Sequence, residues 1–326
     1  MKNLSSPPEE QFLSLALSPK TWKEYVGQEK VKKNIKVIVG AAKKRKELHC
    51  EHILLCGGSG LGKTTLARLI AEEMNSKIRI TSGPAIERPG DLVALLTNLS
   101  PGEVFFIDEI HRLNKVCEEL IYPALENYKL DIILGKGPMA RTMELKIEPF
   151  TLIGATTMPS SLSAPMRNRF GAIFRLDFYS EKEIEKILER SSRLLGMVIS
   201  PDALRVVSQR SRLTPRIANR ILKRIRDFAE FKNQKRIDRP FTEEALVFLG
   251  IDNLGLEAGD RKILEIIIGQ FKGGPVGLQA LSSVLGEQEK TILEMHEPYL
   301  VRAGLIERAP RGRIATRKAH SHLRAI

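Results

Sequence analysis

The chain has 326 residues, 42% hydrophobic and 28% charged, which predicts about two soluble globular domains, or three small ones, with a core that needs no disulfide or metal staples. Lys and Arg exceed Asp and Glu by 13, a balance that favours polyanionic partners such as nucleic acid or an anionic membrane, with plain solubility charge as the alternative. Three scattered cysteines (Cys50, Cys56, Cys117), six histidines without ligand spacing, Pro7-Pro8-Glu9-Glu10 near the start and a longest uncharged run broken by prolines exclude a disulfide framework, a CxxC metal site, a signal peptide and a membrane span, so a reduced, cytoplasmic protein is expected.

Residues 1–20 read as a loose arm. From Lys30 to Leu48, Val31, Ile35, Ile38 and Val39 recur at helical spacing beneath lysine-rich outer positions, which predicts an amphipathic helix. Ile53-Leu54-Leu55-Cys56 is a short apolar run closed by glycines, as in a strand buried on both faces. Thr64 to Met74 reads as a helix, and Val104 to Ile107 and Thr151 to Gly154 as two more buried strands. Strands alternating with helices predict an α/β domain with a parallel sheet. Within it, Leu130 to Ile147 alternates with period two around Gly135-Lys136-Gly137-Pro138, which predicts an inserted β-hairpin. After Tyr179 the pattern turns helical. Ser180 and Glu183 form a capping box, and Ser200-Pro201 and Thr214-Pro215 each open a helix with proline at its first position. From about Leu254 come a helix over 261–271, a Gly273-Gly274-Pro275 turn, a short helix to Leu285 and a helix to Val301. Two strands, 305–308 and 313–316, follow around Pro310-Arg311-Gly312. Three helices and a basic ribbon predict a winged helix. The expected organisation is an arm over 1–20, an α/β domain over 21–179, a small helical domain over 180–253 and a winged helix over 254–326, without internal repeats.

Gly57-Gly58-Ser59-Gly60-Leu61-Gly62-Lys63-Thr64 fits G-x-x-x-x-G-K-[ST] between an apolar strand and an amphipathic helix. Glycines let backbone N–H groups turn inward around phosphates, at a helix N-terminus that already favours anions. There Lys63 is expected to reach the β- and γ-phosphates and Thr64 to ligate Mg2+. Asp108-Glu109 follow a buried strand whose end is expected beside this loop. Asp108 would hold Mg2+ through water and Glu109 would polarise the attacking water; two acids that merely close a strand are the plainer alternative. Arg216 lies in the first turn of a helix, where a cation opposes the macrodipole, so an anionic partner such as a γ-phosphate is expected, with a solvated arginine as the alternative. Near the end of the chain, Arg302, Arg308, Arg311, Arg313, Arg317, Lys318 and Arg324 stand against Glu307, with no aromatic residue among them. That favours phosphate contacts by Arg308, Arg311 and Arg313 on the ribbon over diffuse solubility charge, and base stacking is not indicated.

These motifs carry a resemblance. The chain resembles the RuvB family, bacterial ATP-driven motors that branch-migrate Holliday junctions. The residues that carry it are Tyr25-Val26-Gly27-Gln28, the phosphate loop, the block from Ile80 to Asp91, Phe106 to Arg112, Gly154-Ala155-Thr156-Thr157, Thr214 to Arg220 and Pro310-Arg311-Gly312-Arg313. They spread over about residues 15 to 320. The resemblance implies an AAA+ core, a helical lid and a C-terminal winged helix. It implies a homo-hexameric ring that uses ATP and Mg2+ on double-stranded DNA at four-way junctions, beside a junction-binding RuvA-like protein and a RuvC-like resolvase. By position it implies Gly60, Gly62, Lys63, Thr64 and Thr65 at the phosphates, Thr157 as a sensor and Arg216 as the lid sensor. Leu17, Ser18, Glu126, Asn127, Tyr128 and Tyr179 would line the nucleotide pocket. Arg167 and Arg169 match the family's arginine-finger segment, with Arg169 favoured for direct nucleotide contact; a finger supplied in trans couples hydrolysis to ring assembly. The hairpin from Leu130 to Ile147, with Ile132, Ile133 and Leu134 beside its turn, matches the RuvA-docking element. His111 is expected to be structural or to signal between the ATP site and the ring.

The chain departs from the family pattern at several positions. Ser18 and Met158 stand where arginine is usual, Gly58-Ser59 replace two prolines, and Asn127 and Asn168 replace aspartates. None removes a catalytic group. Two other readings share the ATP site: a clamp-loader-type switch, which would end in a helical collar, and a DNA-binding regulator that binds ATP without turnover.

Overall fold

The computed structural model describes residues 16–134 and 141–325. Most of the expected arm and the Gly135-Lys136-Gly137-Pro138 turn lie outside them. The chain divides into two compact units, Met1–Tyr179 and Ser180–Ile326.

The first unit is an α/β domain. Its helices are α1 (Glu29–Lys44), α2 (Lys63–Glu73), α3 (Pro89–Thr97), α4 (Lys115–Asn127) and the short α5 (Ala164–Asn168). Strands β1 (Ile53–Cys56), β2 (Ile78–Ser82), β3 (Val104–Asp108), β6 (Thr151–Thr156) and β7 (Ala172–Arg175) form one parallel sheet in the order β2-β3-β6-β1-β7. Every residue of β1 and β6 is buried, because strands covered on both faces tolerate only apolar or small side chains. A core formed by Leu54, Phe105, Ile107 and Leu152 of the sheet packs against Leu92 and Leu96 of α3 and Cys117, Ile121 and Ala124 of α4. Asn114 caps α4 by accepting a hydrogen bond from Cys117 N at 2.9 Å. Burial of Leu17, only 4% exposed, shows that the packed structure begins inside the stretch expected to be a loose arm.

The expected hairpin is present as β4 (Lys129–Leu134) and β5 (Arg141–Lys146), an antiparallel pair separate from the main sheet. Leu130 and Ile147 are buried at its base, and Lys129 pairs with Glu144 at 2.9 Å.

The second unit opens with α6 (Glu181–Leu194), started by the expected Ser180–Glu183 capping box. Helices α7 (Pro201–Arg210), α8 (Pro215–Phe231) and α9 (Arg239–Phe248) follow, with a two-residue parallel pair of β8 (Val198–Ile199) and β9 (Arg236–Ile237). Next comes α10 (Ala258–Glu265), which runs into a π-helical turn, Ile266–Gln270, then α11 (Leu278–Leu285). Helix α12 is built of Glu289–Thr291, a π-helical Ile292–His296 and Glu297–Arg302. The antiparallel ribbon of β10 (Ile306–Ala309) and β11 (Gly312–Ala315) and a final helix, α13 (Arg317–Ala325), complete a winged helix around Leu256, Ile263, Leu281, Leu300 and Leu305.

Candidate functional site

The phosphate loop follows β1 directly. Gly57, Gly60 and Gly62 take φ values of +151°, +77° and +97°, conformations that side chains disfavour. The loop is also too close to its neighbours for larger residues. A Cβ on Gly57 would stand 2.9 Å from Leu176 O, and one on Gly62 would stand 2.7 Å from the Tyr25 hydroxyl. Helix α2 begins at Lys63, so its positive end faces the loop. Lys63 is buried, and its Nζ donates to Gly57 O and Gly58 O at 2.8 Å each. Thr64 and Thr65 are half-buried behind it.

The loop is braced from behind by residues of the resemblance motif. The Tyr179 hydroxyl donates to Leu61 O at 3.2 Å and meets the Tyr25 hydroxyl at 3.3 Å. Burial, with the neighbouring Tyr179, holds Tyr25 well above the usual tyrosine range, so it stays neutral. The Gln28 side chain grips the backbone of Asp177 from both sides, donating at 2.6 Å and accepting at 3.2 Å. Leu17 is buried and Ser18 half-buried in the same unit.

Sheet order assembles the rest of this edge. Gly57 N donates to Thr156 O at 3.0 Å, joining the end of β1 to the end of β6. Strand β3 lies beside β6, so the loop, Thr156-Thr157 and Asp108-Glu109 follow one another along the carboxyl ends of the strands, where open α/β sheets bind ligands. Asp108 Oδ1 accepts from Glu109 N at 2.9 Å. Its other oxygen and the Thr64 hydroxyl accept no hydrogen bond among the described residues. Such hard oxygen donors fit Mg2+. No cluster of three His, Cys, Asp or Glu among the described residues forms a metal site by itself; a shell built on Thr64 and Asp108 would be completed by phosphate oxygens and water. Glu109 has a left-handed backbone, φ +46°, and its carboxylate lies 2.7 Å from Arg112 Nη1. A Cβ on Gly83 would stand 2.5 Å from Glu109 O, which accounts for glycine in the Ser82-Gly83-Pro84 turn. His111 Nδ1 lies 3.0 Å from Thr156 Oγ1, which also accepts from Met158 N at 3.0 Å. His111 therefore ties the acidic strand end to the start of the Thr157 segment.

The finger candidates sit elsewhere. Arg169 Nη2 pairs with Glu126 at 3.0 Å, Nη1 donates to Pro165 O at 2.9 Å, and the guanidinium lies 3.9 Å over the Tyr122 ring. Arg167 is half-buried and Asn168 exposed; Arg167 has no ion pair among the described residues. Tyr128 meets His49 at 3.2 Å and packs edge-on against Phe150. His49 and Phe150 precede β1 and β6, and Arg169 precedes Ala172, which pairs with the first residue of β1. This is the amino edge of the sheet, roughly 10 Å from the loop at strand rise. The structure therefore separates Glu126, Asn127, Tyr128, Arg167 and Arg169 from the phosphate loop of their own chain, where a pocket lining was expected for Glu126, Asn127 and Tyr128.

In the second unit, Arg216 is exposed in the first turn of α8 and has no ion pair among the described residues. On the ribbon, Arg308 and Arg313 are direct partners in register, and both are held by the fully buried Glu297. Arg313 reaches it through Nη2 at 2.9 Å and Nε at 3.1 Å, and Arg308 through Nε. Arg311, at the tip, is exposed without an ion pair among the described residues. The three arginines expected to meet DNA thus divide into two anchored ones and one free. Sequence reasoning missed Glu297, and it missed Asp260, whose carboxyl is held below its usual value despite burial by His296, Arg212 and the Glu257 N–H. No described helix is long and apolar enough to cross a membrane.

Comparison with known proteins covers the chain module by module. The family described as the Holliday junction DNA helicase RuvB P-loop domain matches residues 17–176, the RuvB AAA lid domain 179–252 and the RuvB C-terminal winged helix domain 253–324. The Holliday junction branch migration complex subunit RuvB of Dehalococcoides mccartyi (strain CBDB1) is 52% identical over 311 residues, covering 95% of this chain and 89% of that protein. The solved Thermotoga maritima RuvB Holliday junction branch migration motor is 46% identical, with a TM-score of 0.86 over 95% of this chain and 98% of that one. A single-site mutant of the same protein gives 47% and 0.87 over 94% and 98%. Identity at this level, running through sheet, lid and wing alike, makes the chain a member of the RuvB family of AAA+ P-loop ATPases.

Proposed function

We propose that this protein is an ATP-driven motor that branch-migrates Holliday junctions, working in the cytoplasm as a ring of six copies with a RuvA-like junction-binding protein and, downstream, a RuvC-like resolvase. The observation that carries this reading is the carboxyl edge of the sheet. There the phosphate loop, Thr157 and the Asp108-Glu109 pair stand side by side on three adjacent strands.

ATP enters the loop between Leu17, Ser18 and Tyr179, with Gly60 and Gly62 turning their backbone toward the phosphates. Lys63 exchanges the carbonyls of Gly57 and Gly58 for phosphate oxygens, at little cost because it is already aimed there. Thr64 and Asp108 would hold Mg2+, which when bound supplies positive charge against the phosphate oxygens. Glu109 leaves Arg112 and orients the attacking water, and Thr157 senses the γ-phosphate. Arg169, with Arg167, serves the loop of the neighbouring copy, and Glu126, Asn127 and Tyr128 line that shared boundary. Their place at the far edge of the sheet supports this, since a group that stands apart from its own loop can complete another once Arg169 exchanges Glu126 for a phosphate. Arg216 carries the nucleotide state into a lid over 180–253, and the winged helix over 254–326 meets the DNA backbone through Arg311 and Arg308, with Arg313 anchoring the ribbon. The hairpin from Leu130 to Ile147 receives the RuvA-like partner. A ribbon where a clamp loader would carry a helical collar weighs against that competitor.

ATP turnover and junction migration, measured with and without a RuvA-like protein at two salt concentrations, test the reading. Glu109→Gln should keep nucleotide binding and cut turnover at least a hundredfold. Wild-type turnover by that variant would overturn the assignment of the water-orienting base.

A further inference from the structure

The helix that carries Arg216 begins after a loop in which two consecutive side-chain-bearing residues, Arg212 and Leu213, hold left-handed backbone at φ +55°. That conformation disfavours any residue with a Cβ. It turns Arg212 into the protein, where its guanidinium is buried against the winged helix. Nη2 reaches Asp260 Oδ2 at 2.5 Å, Nε donates to Gly255 O at 2.9 Å, and the Tyr299 ring lies 5.0 Å away. Asp260, on α10, is fully buried. Its Oδ2 also accepts Glu257 N at 2.9 Å, and its Oδ1 takes His296 Nδ1 at 2.7 Å. His296 closes the π-helical turn of α12 and lies 3.5 Å from Glu287. The next residue is Glu297, which holds Arg308 and Arg313 of the ribbon. Consecutive helix positions face different directions, so His296 addresses Asp260 and Glu287 while Glu297 addresses the ribbon. Ionic contacts thus run from Arg212, four residues before Arg216, to His296, and from its chain neighbour Glu297 to the ribbon.

We propose that Arg212, Asp260 and His296 form a positioning strut that locks the lid to the winged helix, so that a turn of α8 reaches the wing instead of being absorbed where the two modules meet. This rests on the motor reading above. A buried ion pair contributes little net stability over an apolar contact of the same volume. It specifies geometry instead: a planar guanidinium held by a carboxylate, a carbonyl and a ring is fixed in orientation, whereas packed aliphatic side chains slide. The exposed Arg220–Glu257 pair repeats the link from α8 itself.

The test uses the full chain with a RuvA-like protein and four-way junction DNA. Arg212→Gln is combined with Asp260→Asn, so that neither charge is left buried alone, and His296→Gln is made separately as the milder change. Hydrolysis without DNA, duplex affinity and base pairs migrated per ATP are measured. Hydrolysis and affinity should stay within twofold of wild type, while migration per ATP falls at least tenfold in the double variant and about threefold in His296→Gln. Unchanged migration per ATP overturns the strut, as does a parallel loss of all three quantities, which marks a merely structural role. If the double variant fails to fold, His296→Gln decides alone. A wild-type protein that hydrolyses ATP but moves no junction overturns the motor reading, and the strut with it.

Discussion

His52 is the residue whose chemistry is most fully determined by its surroundings. Leu152 N donates to its Nδ1 at 3.0 Å, so the ring proton sits on Nε2 and is donated to Leu125 O at 3.1 Å. Burial pushes its pKa down to about 4 from 6.5. The unfolded chain therefore takes up a proton first as the medium is acidified. Stability should fall as the pH drops from about 6.5 toward about 4 and level off below, a loss of about 3 kcal/mol. Denaturation curves across that range should show it, and His52→Gln should flatten that part of the profile. The site residues legible in the sequence are those whose chemistry demands a type at a spacing: Lys63 and Thr64 after the glycines, Asp108-Glu109 after a buried strand. His52, Asp260 and Glu297 escaped because a lone His or an acid in an amphipathic helix looks solvated until the fold brings its partners.

The elements follow the same division. Strands β1, β3 and β6 were legible because burial on both faces leaves an unbroken apolar run. Strand β7 alternates half-buried and exposed positions at one edge, and Ile78–Ser82 mixes Arg, Thr and Ser at the other, so neither stood out. Helix α13 was hidden by its polar, basic composition, with Ala319 as its buried contact. Among the elements, the ribbon depends most on one residue outside it. Removing the carboxylate with Glu297→Ala leaves the Arg313 guanidinium, its side chain only 16% exposed, without a counter-charge. Breaking such a pair from one side should cost about 3 kcal/mol. Denaturant unfolding of the second unit measures this, and Glu297→Gln, which still accepts hydrogen bonds, should recover part of it.

For the whole molecule, the distance between the loop and Arg169 makes a prediction about mixtures. Glu109→Gln and Arg169→Ala should each be inactive alone. Mixed, they should regain a substantial fraction of ATP turnover, because some boundaries will join an intact Glu109 to an intact Arg169. A titration of one variant into the other, read by ATP turnover, checks this; a mixture no faster than its parts would mean each copy uses its own arginine. The three-module organisation was legible because hydrophobic periodicity and capping residues change at each boundary. The separation of Glu126, Asn127 and Tyr128 from the loop was not, because it depends on strand order, which no local pattern encodes.

That strand order also governs how the protein comes into being. The first residue of β1 pairs with Ile153 on one side and Ala172 on the other. Once Ile53–Cys56 has been synthesised, more than a hundred further residues must be added before both neighbours exist. At ordinary rates of synthesis that is a wait of roughly 5–20 seconds. Throughout it, the most apolar strand of the sheet and the loop behind it have nothing to pair with, so the interval when this chain is most in need of a chaperone falls before its lid has been translated.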